Sequence, residues 1–214
     1  MLKADFHIHT KYSMDCHNEL ADIIERCRKL GLTCIAIADH DAVEGGLELQ
    51  KMAPFKVIVA EEVLTHQGEV MGMFLKKRIA SGIPLQHAID AIKEQGGLVN
   101  IPHPFDPMRG LRVSADEFEK LAPQIDLIEV FNARVPTAQT NTKAENFARA
   151  HNLPGTAGSD SHSIVEMGSV AVTMNDFNTP AEFLAALRTA KIEGKRASPF
   201  VHFHSTMAKI KKIF

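Results

Sequence analysis

Residues 32–41 read LTCIAIADHD, an apolar run that ends abruptly in polar, ligand-type side chains. An apolar run without polar interruptions is typical of a parallel strand covered on both faces. Its carboxyl end carries Asp39, His40 and Asp41, whose carboxylates and imidazole can bind protons or metal ions. The stretch therefore predicts a buried parallel sheet with a polar site at one end.

The same order of strand and helix repeats along the chain. Residues 3–9 (KADFHIH) predict a strand, and residues 18–31 predict an amphipathic helix that ends at Gly31. Further predicted strands are FKVIVAEEV, GEVMGMFL, LVNI, IDLIEVF and residues 168–174, separated mostly by helical patterns. About seven such units predict an α/β fold, a TIM-like but distorted (β/α)₇ barrel, with a doubly wound open sheet as the alternative.

The chain of 214 residues is expected to form one domain. Residues 1–195 are predicted to form the barrel. Residues 196–214 are predicted to form an appendage of a strand and a basic amphipathic helix, STMAKIKKIF.

Composition narrows the possible partners. The net charge of −2 provides no general field for nucleic acid, and with no Trp and Tyr12 as the single Tyr, a long nucleic-acid tract is not expected. No apolar run reaches the roughly 20 residues of a membrane span, so no membrane partner is expected. The three cysteines lack zinc-type spacing and suit a reducing compartment, so a cytoplasmic location is expected.

Ligand-type residues follow almost every predicted strand. They are His7 and His9, then Asp39 to Asp41, Glu61 and Glu62, His103, Asn132, and finally Asp160 and His162, with Asp15 shortly after the first strand. In a parallel barrel the carboxyl ends of the strands form one face, and that face holds the active site. Imidazole and carboxylate without thiolate suit Zn, Mn or Fe, and this many groups predict two or three divalent ions.

Several of these residues have a plainer interpretation. Two histidines one residue apart are weak support for a metal site, and the GSDSH segment (158–162) could equally be a capped turn. Asp39 and Asp41 are expected to support ligands rather than bind metal, and Glu61 is expected to face away from Glu62. The remaining histidines, assigned to surface or core, are His17, His66, His87, His151, His202 and His204.

The blocks HIHTKYSMD, ADHD, AEE, PHPFD and GSDSH, in this order, resemble the signature of the PHP (polymerase and histidinol phosphatase) family. The likeness is strongest to its small stand-alone phosphoesterases, and it implies a distorted (β/α)₇ barrel with a two- or three-metal centre. Carried over by motif, the resemblance places His7, His9, Glu62 and Asp160 on one ion, Glu62 and His103 on a second, and Asp15, His40 and His162 on a third.

Two departures from the family pattern affect the second ion. Many relatives have a histidine where this chain has Asn132, and relatives often have a histidine where this chain has Glu69. The second ion is therefore expected to be loosely held, or to be completed by Glu69, by Asn132 or by water.

The expected reaction is hydrolysis of a small phosphate ester, of the nucleotide, sugar or histidinol phosphate type, by metal-bound hydroxide. Glu62 and Asp160 would hold the ions, and His40 or His162 would assist proton transfer. Lys11, Arg109 and Arg134 would bind the phosphate.

Three alternatives remain open from the sequence. One is a nuclease or oligonucleotide phosphodiesterase, and another is a metal-stabilised module without catalysis. The third is an amidohydrolase, although those enzymes usually need a bridging lysine and no predicted strand ends in Lys. The sequence indicates neither the particular substrate nor the oligomeric state.

Overall fold

The computed structural model describes residues 1–197; the predicted tail helix, STMAKIKKIF, lies outside the described residues. The strands are β1 (Leu2–Ile8), β2 (Cys34–His40), β3 (Lys56–Thr65), β4 (Gly68–Met73), β5 (Leu98–Ile101), β6 (Leu127–Asn132), β7 (Gly155–Gly158), β8 (Val170–Met174) and β9 (Lys191–Gly194). The helices are α1 (Leu20–Leu30), α2 (Glu44–Met52), α3 (Leu85–Glu94), α4 (Ala115–Leu121), α5 (Ala138–Ala150) and α6 (Pro180–Leu187). A single 3₁₀ turn, Ala122–Gln124, follows α4.

The strands form one sheet in the order β7-β6-β5-β4-β3-β2-β1-β8-β9, which curls into a nearly closed barrel. Strands β1 to β3 pair in parallel, as do β5 to β7, whereas β4 and β8 are antiparallel to their neighbours. The predicted α/β barrel is confirmed. It departs from a regular (β/α)₇ repeat because only His66 and Gln67 connect β3 to β4, too short a link for a parallel crossover.

The barrel closes where the chain leaving β7 meets β1. The Asp160 amide donates to the His7 carbonyl at 2.8 Å, and the His9 amide donates to the Ser161 carbonyl at 3.1 Å. The buried Asp5 carboxylate accepts from the Ser159 amide at 2.9 Å, so a side chain also joins the two edges. We call this contact between residues 5–9 and 159–161 the closing seam.

A β-bulge in β1 sets which side chains enter the barrel. Asp5 pairs with Ile35 and Ile8 with Ile37, so β1 has one residue more than β2 over this stretch. Phe6 consequently packs in the interior cluster, whereas Ile8 packs in a separate cluster with residues of α1 and α2. The bulge allows His7 to project inward directly after an inward-facing Phe6.

The interior is filled by alternating residues of the strands together with aromatic rings. The strands contribute small side chains such as Ala36 and Ala38, which leave room for larger ones. The Phe183 ring of α6 is fully buried, with its centroid 5.2 Å from that of Phe6 and 4.9 Å from that of Phe177. Thr179 caps α6 by accepting from the Glu182 amide at 3.2 Å, which fixes where the helix begins. Helix α6 is thus anchored onto the barrel interior.

The other helices cover the outer face of the sheet. One outer cluster combines strand residues with α3, α4 and α5, and another with α1 and α2. No helix within residues 1–197 is long and apolar enough to cross a lipid bilayer.

Truncating Phe183 to Ala should destabilise the barrel, because it leaves a cavity among three other phenylalanines. We expect the free energy of unfolding to fall by about 3 to 5 kcal/mol, measured by urea denaturation. Val165→Ala is the control, because Val165 is 81% exposed and its truncation should cost less than about 0.5 kcal/mol. Equal effects of the two substitutions would contradict the packing described for α6.

Candidate metal centre

Nine ligand-type side chains converge at the carboxyl face of the barrel. They are His7, His9, Asp15, His40, Glu62, Glu69, His103, Asp160 and His162. Eight of them were predicted from the sequence as metal ligands, and Glu69 was named as one of the alternatives that could complete the second ion. Strands β1, β2 and β3 and the segments after β5 and β7 supply most of them, as strand polarity predicts.

Glu62 lies at the centre of this cluster. Its Oε2 is 3.3 Å from His7 Nε2, 3.6 Å from His9 Nε2 and 3.2 Å from His40 Nδ1, while its Oε1 is 2.8 Å from His103 Nε2. Burial alone would raise the pKa of Glu62, but the charges of His7 and His40 hold it well below its usual value. Glu62 is therefore an ionised carboxylate that faces four imidazoles.

Asp160 joins the cluster from the other side of the closing seam. Its Oδ1 is 3.4 Å from His9 Nε2, and its Oδ2 forms an ion pair with Arg109. Although burial opposes ionisation, Arg109 and His7 keep the pKa of Asp160 well below its ordinary value. Its backbone adopts φ +53°, and His103 adopts φ +26°, both in a region that non-glycine residues rarely occupy. Strained backbone of this kind is concentrated at functional sites.

Asp15 forms a third grouping with two imidazoles. Its Oδ2 is 3.2 Å from His162 Nε2 and 3.6 Å from His40 Nε2. Burial opposes its ionisation, but His162 and His40 lower the pKa of Asp15. The loop after β1 therefore places an ionised carboxylate between His40, at the end of β2, and His162, which follows β7.

The donor set fits divalent cations. Four groups of three donors each have their ligand atoms within 4.8 Å of one another: His9 with His40 and His162; His7 with Glu62 and His103; His7 with His9 and Asp160; and His40 with Glu62 and Glu69. Within the described residues, His9 Nε2, Asp160 Oδ1 and Glu69 Oε2 are buried without a hydrogen-bond partner. Buried polar atoms are rarely left unpaired unless an ion or water binds them.

The pKa shifts of His9 and His7 also support a site for divalent cations. Burial and the neighbouring His162 lower the pKa of His9, so its imidazole is neutral and keeps a lone pair for a metal. Burial opposes protonation of His7, but Glu62, Glu129 and Asp160 raise its pKa. Without a cation, a proton on His7 balances the surrounding carboxylates. A bound cation would displace this proton.

Glu129, inside β6, positions His7 and His103 through hydrogen bonds. Its Oε1 lies 3.0 Å from His7 Nδ1, and its Oε2 accepts from the His103 amide at 2.7 Å and from Asn132 Nδ2 at 2.9 Å. A carboxylate on Nδ1 leaves Nε2 of His7 as the nitrogen that faces the metal centre. Sequence reasoning missed Glu129; the available signal was an acidic residue within an otherwise apolar strand.

Other acidic residues near the strand ends face elsewhere. Asp39 accepts from the Thr10 amide at 2.5 Å and from its hydroxyl at 2.6 Å, which fixes the loop after β1. Glu61 accepts from the Ile79 amide at 2.9 Å, and Asp41 accepts from the Leu64 amide at 3.1 Å. In the structure these three carboxylates bind backbone amides outside the nine-residue cluster.

Asn132 presents its amide nitrogen, rather than its oxygen, to the cluster. Its Nδ2 donates to Asp160 Oδ2 at 3.2 Å, and its Oδ1 accepts from the Arg134 amide at 2.8 Å.

The Glu69 carboxylate, by contrast, faces His103 and His40 at 3.6 and 3.9 Å. Burial and Glu62 raise the pKa of Glu69 to about 7.

The three basic residues expected at the site differ in accessibility. The Arg109 side chain is 25% exposed and contacts Asp160 and Asp106. Arg134 is 3% exposed and contacts the His162 ring, the Asp160 carbonyl at 3.2 Å and Glu166. The Lys11 side chain is 42% exposed and forms an ion pair with Glu19 at 2.7 Å. Arg109 thus combines exposure with direct contact to the cluster.

The histidines assigned to surface or core lie apart from the cluster where the structure describes them. His17, His66 and His87 are exposed, and His151 pairs with Glu119 at 2.8 Å. His202 and His204 lie outside the described residues.

Comparison with known proteins gives two family matches and two relatives. The PHP domain model matches residues 5–147, and the PHP-associated model matches residues 138–192. An uncharacterized protein of Methanocaldococcus jannaschii is 37% identical over 145 residues, 62% of this chain and 82% of the relative. A second uncharacterized protein of the same organism is 32% identical over 199 residues, 87% of this chain and 79% of the relative.

A solved structure gives the same fold. It is a two-domain protein from Bacteroides vulgatus that contains a predicted PHP-like metal-dependent phosphoesterase. The TM-score is 0.73 at 18% sequence identity, covering 91% of this chain and 65% of that one.

Replacing Gly158 with Ala should disrupt the cluster without removing any ligand. A Cβ there would lie 2.1 Å from His7 Cβ and 2.7 Å from Glu129 Oε1, so His7 must move. We expect Mn²⁺ affinity to fall at least about tenfold and stability to fall by about 1 to 3 kcal/mol, measured by calorimetric titration and urea denaturation.

Gly82→Ala is the control for this substitution. Gly82 has φ +67°, so an Ala side chain there should lower the stability of the protein. Because no heavy atom lies within 4 Å of the new Cβ, the variant should keep its Mn²⁺ affinity. Unchanged Mn²⁺ binding by the Gly158 variant would show that the position of His7 does not matter for the metal.

Proposed function

The chain belongs to the PHP family, and from that premise we propose that it is a metal-dependent phosphoesterase that hydrolyses a small phosphate ester. The observation that carries this proposal is the convergence of four imidazoles on the buried, ionised Glu62 at the carboxyl face of a barrel. The description of the Bacteroides vulgatus neighbour, which shares the fold, supports the same class of reaction.

The proposed ligands divide among two or three ions of Mn, Zn or Fe. His7, His9, Glu62 and Asp160 would hold one ion, Glu62 and His103 a second, and Asp15, His40 and His162 a third. Divalent ions in such a centre activate water, polarise the phosphoryl group and stabilise the leaving oxygen. The protein's own contribution is to hold the ligands in place and to bind the substrate.

Glu62 and Asp160 are proposed to keep the ions together, because each approaches several imidazoles and remains ionised. His40 is 18% exposed, whereas His7 and His103 are fully buried. His40 or His162 is proposed to assist proton transfer to the departing alcohol, and exposure favours His40, because the His162 side chain is 4% exposed.

Among the basic residues, Arg109 is proposed to grip the phosphate. Its guanidinium is partly exposed beside Asp160 and can offer two parallel hydrogen bonds to a phosphate. Lys11, on the loop after β1, is proposed to supply a second positive charge once substrate enters. Arg134, expected from the sequence to bind substrate, is buried against His162 and Glu166, so we assign it the role of holding His162.

The reaction can be tested with p-nitrophenyl phosphate, using protein loaded with Mn²⁺ and the same protein after treatment with a chelator. Turnover that disappears with the chelator supports the proposal, and a panel of phosphorylated metabolites then identifies the natural substrate class. Turnover on oligonucleotides alone would favour the nuclease alternative. Bound metal without turnover on any phosphate ester would favour a metal-stabilised module.

Replacing Asp160 with Ala should nearly abolish turnover, because it removes a ligand that contacts His9 and leaves Arg109 paired with Asp106 alone. We expect kcat/KM for p-nitrophenyl phosphate to fall at least about a thousandfold, equal to about 4 kcal/mol of transition-state stabilisation. Asp90→Ala, an exposed carboxylate on α3, is the control and should retain full activity. Wild-type activity in the Asp160 variant would refute the proposed centre.

Replacing Arg109 with Ala should weaken substrate binding more than the chemical step. We expect KM for p-nitrophenyl phosphate to rise about tenfold or more, with a smaller fall in kcat, in steady-state kinetics. Arg109→Lys keeps the charge but loses the paired hydrogen bonds, so its KM should lie between those of the wild type and the Ala variant. An unchanged KM in the Ala variant would exclude Arg109 from phosphate binding.

A further inference from the structure

One carboxylate of the cluster, that of Glu69, lies on a strand that is antiparallel to its neighbours. Strand β4 is antiparallel to β3, with Glu69 opposite Leu64 and Met71 opposite Glu62. Its amino end, rather than its carboxyl end, therefore reaches the face that holds the cluster. Glu69 alternates with Met71 and Met73, which both pack in the barrel interior, so the Glu69 side chain projects inward above them.

Contacts of Glu69 place it next to the second proposed ion. Its Oε2 is 3.6 Å from His103 Nε2, and this oxygen is buried without a hydrogen-bond partner among residues 1–197. His103 Nε2 is in turn 2.8 Å from Glu62 Oε1. His103 Nε2 thus lies close to a carboxylate oxygen of Glu62 and of Glu69, and the ligand atoms of Glu62, Glu69 and His40 lie within 4.8 Å of one another.

His40 also approaches Glu62 and Glu69, but it has another role. Its Nδ1 is 3.2 Å from Glu62 and 3.9 Å from Glu69, while its Nε2 is 3.6 Å from Asp15 Oδ2. A neutral imidazole binds one metal through one nitrogen, and the grouping with Asp15 and His162 uses Nε2 of His40. Glu69 is then the side chain that completes the set formed by Glu62 and His103.

We propose that Glu69 is a metal ligand, and that with Glu62 and His103 it forms a carboxylate-rich subsite that prefers Mn²⁺ or Fe²⁺ to Zn²⁺. This inference rests on the proposed metal centre but concerns the ligand and the metal preference that this chain's own residues create. Two carboxylates and one imidazole favour the harder ions, whereas the imidazole-rich grouping of His9, His40 and His162 suits Zn²⁺.

The subsite also has a consequence for stability. With no cation present, Glu62 and Glu69 are two acidic groups whose donor atoms lie within 4.8 Å of each other. Because a cation between them would bind the folded protein through both carboxylates, adding Mn²⁺ should stabilise the wild type more than a variant that lacks the Glu69 carboxylate.

The test is a titration of chelator-stripped protein with Mn²⁺ and, separately, with Zn²⁺. Calorimetry monitors both titrations, and the electron paramagnetic resonance signal of free Mn²⁺ also monitors the first. Glu69→Gln should lose one equivalent of bound Mn²⁺, or weaken one binding step at least about tenfold. Its melting temperature should rise less on addition of Mn²⁺ than that of the wild type. Glu193→Gln, an exposed carboxylate on β9, is the matched control and should bind both ions as the wild type does.

Glu69→His tests the metal preference and also serves if the Gln variant does not fold. It should restore the number of bound ions while shifting the ratio of dissociation constants toward Zn²⁺. Mn²⁺ binding by Glu69→Gln within twofold of wild type, or an unshifted metal preference in Glu69→His, would overturn the proposal. Because these titrations require no turnover, their result is independent of whether p-nitrophenyl phosphate is hydrolysed.

Discussion

The geometry of the site depends on the hydrogen bonds that close the barrel. The His7 carbonyl accepts from the Asp160 amide, and the His9 amide donates to the Ser161 carbonyl. The residues that make these backbone bonds include three of the proposed ligands, so the contacts that close the sheet also bring these ligands together. The buried Asp5 carboxylate, which bonds both the Ser159 amide and the His7 amide, reinforces the same junction.

Strand polarity explains how much of the site could be predicted from the sequence. His7, His40, His103 and His162 each follow a run of strand-forming residues, and parallel strands bring their carboxyl ends together. The barrel class followed from the same alternation of strands and helices. The strand GEVMGMFL was also predicted, but not that its amino end would meet the site.

What the sequence did not reveal depends on tertiary detail. Glu129 supports His7 and the His103 amide from within β6, next to a register shift between Glu129 and Phe131 that no local pattern indicates. Glu69 entered the sequence analysis only through comparison with the family pattern, because rules based on strand ends do not find a residue at the start of an antiparallel strand. Arg134 was expected at the substrate, yet packing against His162 and Glu166 buries it.

The closing seam links the stability of the folded protein to its bound cation. A cation held jointly by His7, His9 and Asp160 would clamp the first strand to the segment that follows β7, two parts of the chain some 150 residues apart. Loss of the ion would then remove one link across the closing seam and leave it to the hydrogen bonds alone. Metal scarcity would thereby lower the stability of the folded molecule, so the supply of the ion would set how long it survives.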